Sequence, residues 1–140
     1  MNSSQQPRKS PQTSTEALGL LGEALAWKHL QTKRYRCVAT NWHAGRLGEV
    51  DLIVACDASH VLVFVEVKAR RGANSTEALL AITPRKQRQL LALAAAYLAR
   101  HPQWDGWDIR MDAVGVAVPR TYETDGGYHL IHIENAVVSG

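Results

Sequence analysis

A chain of 140 residues that is 46% hydrophobic and 21% charged suits one domain, long enough to bury a core without disulfides or a structural metal. It has no uncharged apolar run of about 18 residues to span a bilayer, and its polar start, MNSSQQPRKSPQTSTE, lacks the apolar centre of a secretion signal. The expectation is therefore a cytoplasmic protein without a membrane partner. The net charge is +3, with 14 Lys and Arg against 7 Asp and Glu in residues 1–100, and 2 against 6 in residues 101–140; a basic body suits a polyanion, because Lys and Arg displace counterions from phosphates.

In chain order, residues 1–12 have little to bury and are expected to form a disordered tail, leaving residues 13–140 as the domain. Thr13-Ser14-Thr15-Glu16 has the form of a capping box, which predicts a helix from there to about Lys33. Leu18, Leu21, Leu25, Ala26 and Leu30 recur at helical spacing along it. YRCVAT reads as a first strand and NWHAGRLG as a turn-rich connection into GEVDLIVACDASHVLVFVEVKAR, a long hairpin. After a loop, RRGANSTEALLAIT, Thr83-Pro84 offers an N-cap and a proline at the first position of a second helix, which His101-Pro102 stops. Two more strands, about Trp107 to Val118 and Tyr128 to Ile133, flank a loop containing Asp125-Gly126-Gly127. The order helix, three strands, helix, two strands predicts an α/β domain around one small sheet. Cys37 and Cys56 have no metal or redox spacing and read as reduced core residues.

The hairpin carries Glu49, Asp51, Glu66 and Lys68 inside its most burial-prone segment. With Asp57-Ala58-Ser59-His60 as the turn, antiparallel pairing sets Asp51 opposite Glu66 and Glu49 opposite Lys68, all on one face. Val61, Val63, Val65 and Val67 then fill the other face, while Leu62 and Phe64 extend the charged one. Opposed carboxylates destabilise a sheet unless one is protonated or a cation lies between them. A hard divalent ion with oxygen ligands meets that demand, and a neighbouring lysine then suits phosphodiester hydrolysis as a positioner of the nucleophile or transition-state oxygens. The competing reading is an ion-pair network, Lys68 with Glu49 and Glu66, and Asp51 on a turn amide.

Asp51, 14 residues, then Glu66-Val67-Lys68 resembles the D and ExK core of the PD-(D/E)xK nucleases. The ordered set GLLGE at 19–23, Asn41-Trp42, GEVDLI at 48–53, VFVEVKAR at 63–70 and Asn135-Ala136 is similar to the YraN-type, or UPF0102, family of endonuclease-like proteins, with Gly48-Glu49 in place of the proline-aspartate of the signature. The resemblance covers nearly everything after residue 16. It implies a restriction-endonuclease-like αβββαβ core, a small mixed sheet flanked by helices, and a first-helix carboxylate in the site, for which Glu23 is the matching position. The implied catalytic set is Lys68, Glu23, Asp51 and Glu66, with Mg²⁺ or Mn²⁺ on Asp51, Glu66 and Glu23 and with Glu49 as support. By analogy with two-fold symmetric junction resolvases it also implies a homodimer. Gly19 and Gly22, which share a stripe with Glu23, cost about 1 kcal/mol each in a helix relative to alanine, and a close approach of helix to sheet would account for both.

Arg70, Arg71, Arg85, Lys86 and Arg88 form a cluster suited to phosphates, aided by a helix N-terminus. The six histidines show no ligand spacing, Trp104 and Trp107 read as packing residues, and mutual pairing or solvent exposure accounts for Arg110 and Asp112. The functional expectation is a metal-dependent nuclease acting on nucleic acid, DNA above RNA, on branched or single-stranded substrates. The alternatives are a non-catalytic nucleic-acid-binding or protein-interaction module that keeps the same fold, and a purely structural interaction protein.

Overall fold

The computed structural model describes residues 14–72, 82–119 and 127–136. The expected elements follow in the expected order: α1 (Ser14–Thr32), β1 (Arg36–His43), β2 (Glu49–Cys56), β3 (Val61–Arg71), α2 (Pro84–Arg100), β4 (Asp108–Val118) and β5 (His129–Ile133). The five strands form one sheet in the order β1-β2-β3-β4-β5, antiparallel except for β3 and β4. The parallel pair is joined through α2, as a parallel pair must be joined by a long crossover. The chain thus has the α/β class and mixed sheet expected of it. Residues 1–12, most of the loop after Arg71 and Asp125-Gly126 lie outside the described residues, as does Thr13 of the expected capping box.

Each face of the sheet is covered by one helix. On the first, Ala26 and Leu30 of α1 pack against Leu52, Val54, Val61, Val63, Val65, Val114 and Val116. On the second, Leu93, Ala94 and Tyr97 of α2 pack against Ile53, Ala55, Leu62 and Phe64. The near-continuous apolar run of β3 follows from this burial on both sides. Thr83 caps α2, its hydroxyl accepting the Lys86 N–H at 3.1 Å, and the helix ends at Arg100 with His101 as its C-cap.

Several local expectations are corrected. β1 continues through Asn41-Trp42-His43, and only Gly45–Leu47 forms a single 3-10 turn. Leu21 is exposed, because the buried stripe of α1 runs through Ala26 and Leu30. Both cysteines are free thiols; Cys37 is exposed, beside an irregularity in the β1–β2 register, and is not a core residue, whereas Cys56, half-buried at the hairpin turn, packs against the edge of the core. Trp104 is buried and Trp107 stacks on His60 with ring centroids 4.1 Å apart, which makes both packing residues.

Candidate active site

The hairpin register is the expected one from Cys56–Val61 to Leu52–Val65, and there the β2–β3 ladder ends. Asp51 and Glu66 are therefore not the ladder pair the sequence suggested. The strands part, and the Asp51 carboxylate accepts the backbone N–H of Val67 at 2.8 Å. Strand alternation breaks here too: Leu52 and Val54 face α1, whereas Val50 belongs to the apolar group under α2. Asp51 thus occupies the fork between the two layers.

Glu66 lies on β3 just beyond Leu62 and Phe64, on the α2 face. It is 8% exposed. The ammonium of Lys86, in the first turn of α2, stands 3.5 Å from its Oε2. Glu23 comes from α1, carried in by Gly22, where an added Cβ would meet Ala69 Cβ at 2.7 Å. That half of the glycine expectation holds. Gly19 is exposed, with nothing within 4 Å of an added Cβ, so close approach does not account for it.

Asp51 acts on both of the other carboxylates, Glu23 and Glu66. Burial, then the charge of Asp51, raises the Glu66 carboxyl to about 7, against the opposing pull of Lys86 and Lys68. Burial also raises Asp51, with Glu49 adding to the effect and the Val67 N–H and Lys86 opposing it. Glu23 is raised by burial and by the charges of Asp51 and Glu49, with Asn41 opposing. The structure brings together Glu23, Asp51 and Glu66, with Lys68 close enough to act on Glu66 electrostatically.

Asn41 is a member that sequence reasoning used only as part of a family pattern. Its carboxamide nitrogen donates to both Glu23 oxygens at 3.3 and 3.4 Å and to Glu49 Oε2 at 3.0 Å. Its φ of 47° is a left-handed value that asparagine tolerates well. Glu49 is held from the other side by His43, 3.3 Å away.

Of the expected phosphate contacts, Arg85 and Lys86 line a cavity of about 480 Å³ together with Arg46, Leu47, Thr83 and Gln89. Arg70, Arg71 and Arg88 are exposed and do not line it. A second cavity of about 280 Å³, on the Glu23 side, is lined by Leu20, Glu23, Ala24, Trp27, Cys37, Thr40, Asn41 and Leu52.

Among the described residues, no three His, Cys, Asp or Glu side chains are gathered closely enough to enclose an ion by themselves. The donor set nevertheless fits Mg²⁺ or Mn²⁺. It is all carboxylate oxygen, half-buried at Glu23 and Asp51 and buried at Glu66, and Mg²⁺ ordinarily takes one or two carboxylates while keeping waters and phosphate oxygens as its other ligands.

A second polar cluster, which sequence reasoning treated as unremarkable pairing, is fully compensated. Asp112 on β4 is 1% exposed. It accepts both prongs of Arg110 at 2.9 Å, His132 Nε2 at 2.8 Å and the Asn135 N–H at 3.1 Å. Arg110 also donates to the Tyr35 hydroxyl, and His29 contacts His132 at 3.3 Å. Burial would raise the Asp112 carboxyl, but these donors overcome it and leave it below the usual carboxylate range. Of the two expectations for Arg110 and Asp112, mutual pairing holds, with Asp112 buried and Arg110 partly so.

No helix among the described residues is long and apolar enough to cross a membrane. The sequence profile of the family described as "Uncharacterised protein family UPF0102" matches residues 22–116. The chain is 41% identical over 116 residues to the UPF0102 protein tll1737 of Thermosynechococcus vestitus, covering 82% of this chain and 88% of that one. It is 44% identical over 104 residues to a UPF0102 protein of Mycobacterium avium, covering 74% and 79%. Over 89 residues it is 48% identical to one from Acidothermus cellulolyticus, covering 64% and 65%. A solved structure of Pyrococcus furiosus SfsA in complex with Ca²⁺ aligns at a TM-score of 0.33 and 16% identity, over 89% of this chain and 65% of that one, too distant a likeness to carry an argument.

Proposed function

Because the chain belongs to the UPF0102 family, whose description names no activity, we propose a function from the site itself: metal-dependent hydrolysis of DNA phosphodiester bonds. The observation that carries this reading is the fork at Asp51. The charge of Asp51 on β2 acts there on Glu23 of α1 and on Glu66 of β3, all three carboxyls are raised, and the buried Glu66 reaches about 7. Negative charge gathered without full compensation is the electrostatic signature of a site awaiting a cation or a proton.

Asp51 and Glu66 would hold Mg²⁺ or Mn²⁺, with Glu23 completing the set directly or through water. Such an ion neutralises phosphate charge and acidifies water. The chain's own groups do the rest. The Val67 N–H fixes one Asp51 oxygen, Asn41 orients Glu23 and Glu49, and Lys68 positions the attacking water and stabilises the charge of the pentacovalent phosphate. Branched, flapped or single-stranded DNA is the proposed substrate.

A divalent-ion titration with labelled branched, flapped and single-stranded DNA, and RNA as comparison, tests the reading. Cleavage should appear with Mg²⁺ or Mn²⁺ and fall by about a hundredfold to a thousandfold in folded Asp51→Ala and Lys68→Ala proteins, the scale expected when charge stabilisation of a transition state is removed. Cleavage that survives both substitutions rejects the site.

One observation favours a second reading, a non-catalytic nucleic-acid-binding module. Lys86 already pairs Glu66 at 3.5 Å, which supplies part of the missing charge without metal. That reading predicts salt-sensitive DNA binding with no turnover in any divalent ion.

A further inference from the structure

The cavity beside Glu66 is built by contacts that have no part in the carboxylate cluster. Gln89, on the second turn of α2, reaches back to donate its Nε2 to the Leu47 carbonyl at 2.9 Å. It can do so because Gly48, at a φ of 124°, has no Cβ; one placed there would lie 2.3 Å from that Nε2. The 3-10 turn Gly45–Leu47 is thereby clamped against the start of α2, and Arg46 is carried in beside Arg85 and Lys86.

Three cations, a hydroxyl and an amide line this space, and among the described residues no carboxylate does. Lys86 faces Glu66, but Arg46 and Arg85 have no ion-pair partner among the described residues. Arg85 and Lys86 also sit in the first turn of a helix that has no acidic residue there. Cations at a helix N-terminus oppose the macrodipole, whereas an anion is favoured by it. A bound anion would reverse the repulsion among the three side chains and offset the dipole penalty. Guanidinium groups suit a phosphate in particular, because their paired N–H donors match its oxygens.

We propose that Arg46, Arg85 and Lys86, with Thr83 and Gln89, form a subsite for the DNA phosphodiester group next to the one that is cut. The inference rests on the nuclease reading and deepens it. Lys86 spans both places, lining the cavity while its ammonium contacts Glu66, so a phosphate held here lies one step along the strand from the carboxylates.

The test is fluorescence anisotropy of a labelled single-stranded oligonucleotide in EDTA across a salt series. It compares the wild-type protein with an Arg46→Ala/Arg85→Ala double variant and an Arg46→Lys/Arg85→Lys control, each checked by thermal melting. Removing two phosphate contacts should flatten the slope of log affinity against log salt by about 1.4. The expected weakening near 0.1 M salt is about tenfold or more, with the lysine control recovering the slope but not all of the affinity. Inorganic phosphate should compete only weakly. An unchanged slope in the alanine variant, while the wild type binds and cleaves, overturns the subsite and leaves the nuclease reading standing. Tight binding of inorganic phosphate that DNA cannot displace assigns the cavity to a free phosphate and overturns it too. A wild type that neither binds nor cuts DNA rejects both.

Discussion

Glu66 and Asp112 stand on neighbouring strands of one sheet, on opposite faces, and are nearly equally buried at 8% and 1% exposure. Their carboxyls move in opposite directions, Glu66 up to about 7 and Asp112 down. The difference lies in the company each keeps. Asp112 receives a two-pronged arginine, a histidine and a backbone amide. Glu66 has Lys86 at 3.5 Å and the charge of Asp51 set against it. Burial alone therefore does not mark a site. An acid that the fold buries and then leaves under-neutralised is the stronger mark.

Removing Asp112 should have the largest effect on stability. Asp112→Ala leaves Arg110 partly buried without its partner, and breaking such a pair costs about 3 to 5 kcal/mol. Urea denaturation would measure it. A double Arg110→Met/Asp112→Leu replacement should recover most of the loss, because apolar residues of similar volume often substitute for a buried pair without penalty. A loss below about 1 kcal/mol for Asp112→Ala, within the range of a surface pair, would break the comparison from this side.

Glu66→Gln should act in the opposite sense and depend on pH. The folded carboxyl titrates near 7 against an ordinary value of 4.5, so the folded state binds more protons than the unfolded between those values. Wild-type stability should therefore fall as pH rises from about 4.5 to 7 and level off above. The glutamine protein, lacking that titration, should be relatively more stable at pH 8 by an amount approaching 3 kcal/mol, less whatever Lys86 loses. At pH 4 the difference should vanish. Asp112 has the reverse sign: its contribution is present above its ordinary pKa of 3.8 and is lost in stronger acid. Parallel melts across pH of Glu66→Gln and Asp112→Asn would show the opposed slopes.

The smallest effect sharpens the contrast. Millimolar Mg²⁺ or Mn²⁺ at pH 8 should stabilise the wild type by about 1 to 3 kcal/mol, the gain when a ligand stands about 10 to 100 times above its dissociation constant. Asp51→Asn and Glu66→Gln should abolish the gain. His132→Asn, which touches the compensated cluster alone, should melt earlier yet keep the full increment. An increment that survives in Asp51→Asn and Glu66→Gln would place the ion elsewhere.

The sequence by itself determined the elements and their order, because alternating and helical apolar spacing, the Thr83-Pro84 start and the His101-Pro102 stop are local signals. It also determined the hairpin register from Cys56–Val61 to Leu52–Val65, since the length of the Asp57-Ala58-Ser59-His60 turn sets which residues face each other. The tertiary structure decided where that register stops, and so turned Asp51 to the Val67 N–H. It separated Gly22, pressed on Ala69, from Gly19, which touches nothing. It also brought Asn41 of β1 to Glu23 and Glu49, Lys86 of α2 to Glu66, and Arg46 of a 3-10 turn to the cavity that Lys86 lines. None of those placements has a sequence period, because each depends on how two helices lie across a sheet. The same limit hid the pairing of Asp112 with His132, 20 residues away on the next strand. A sequence names the charges; only the packed sheet shows which of them are answered.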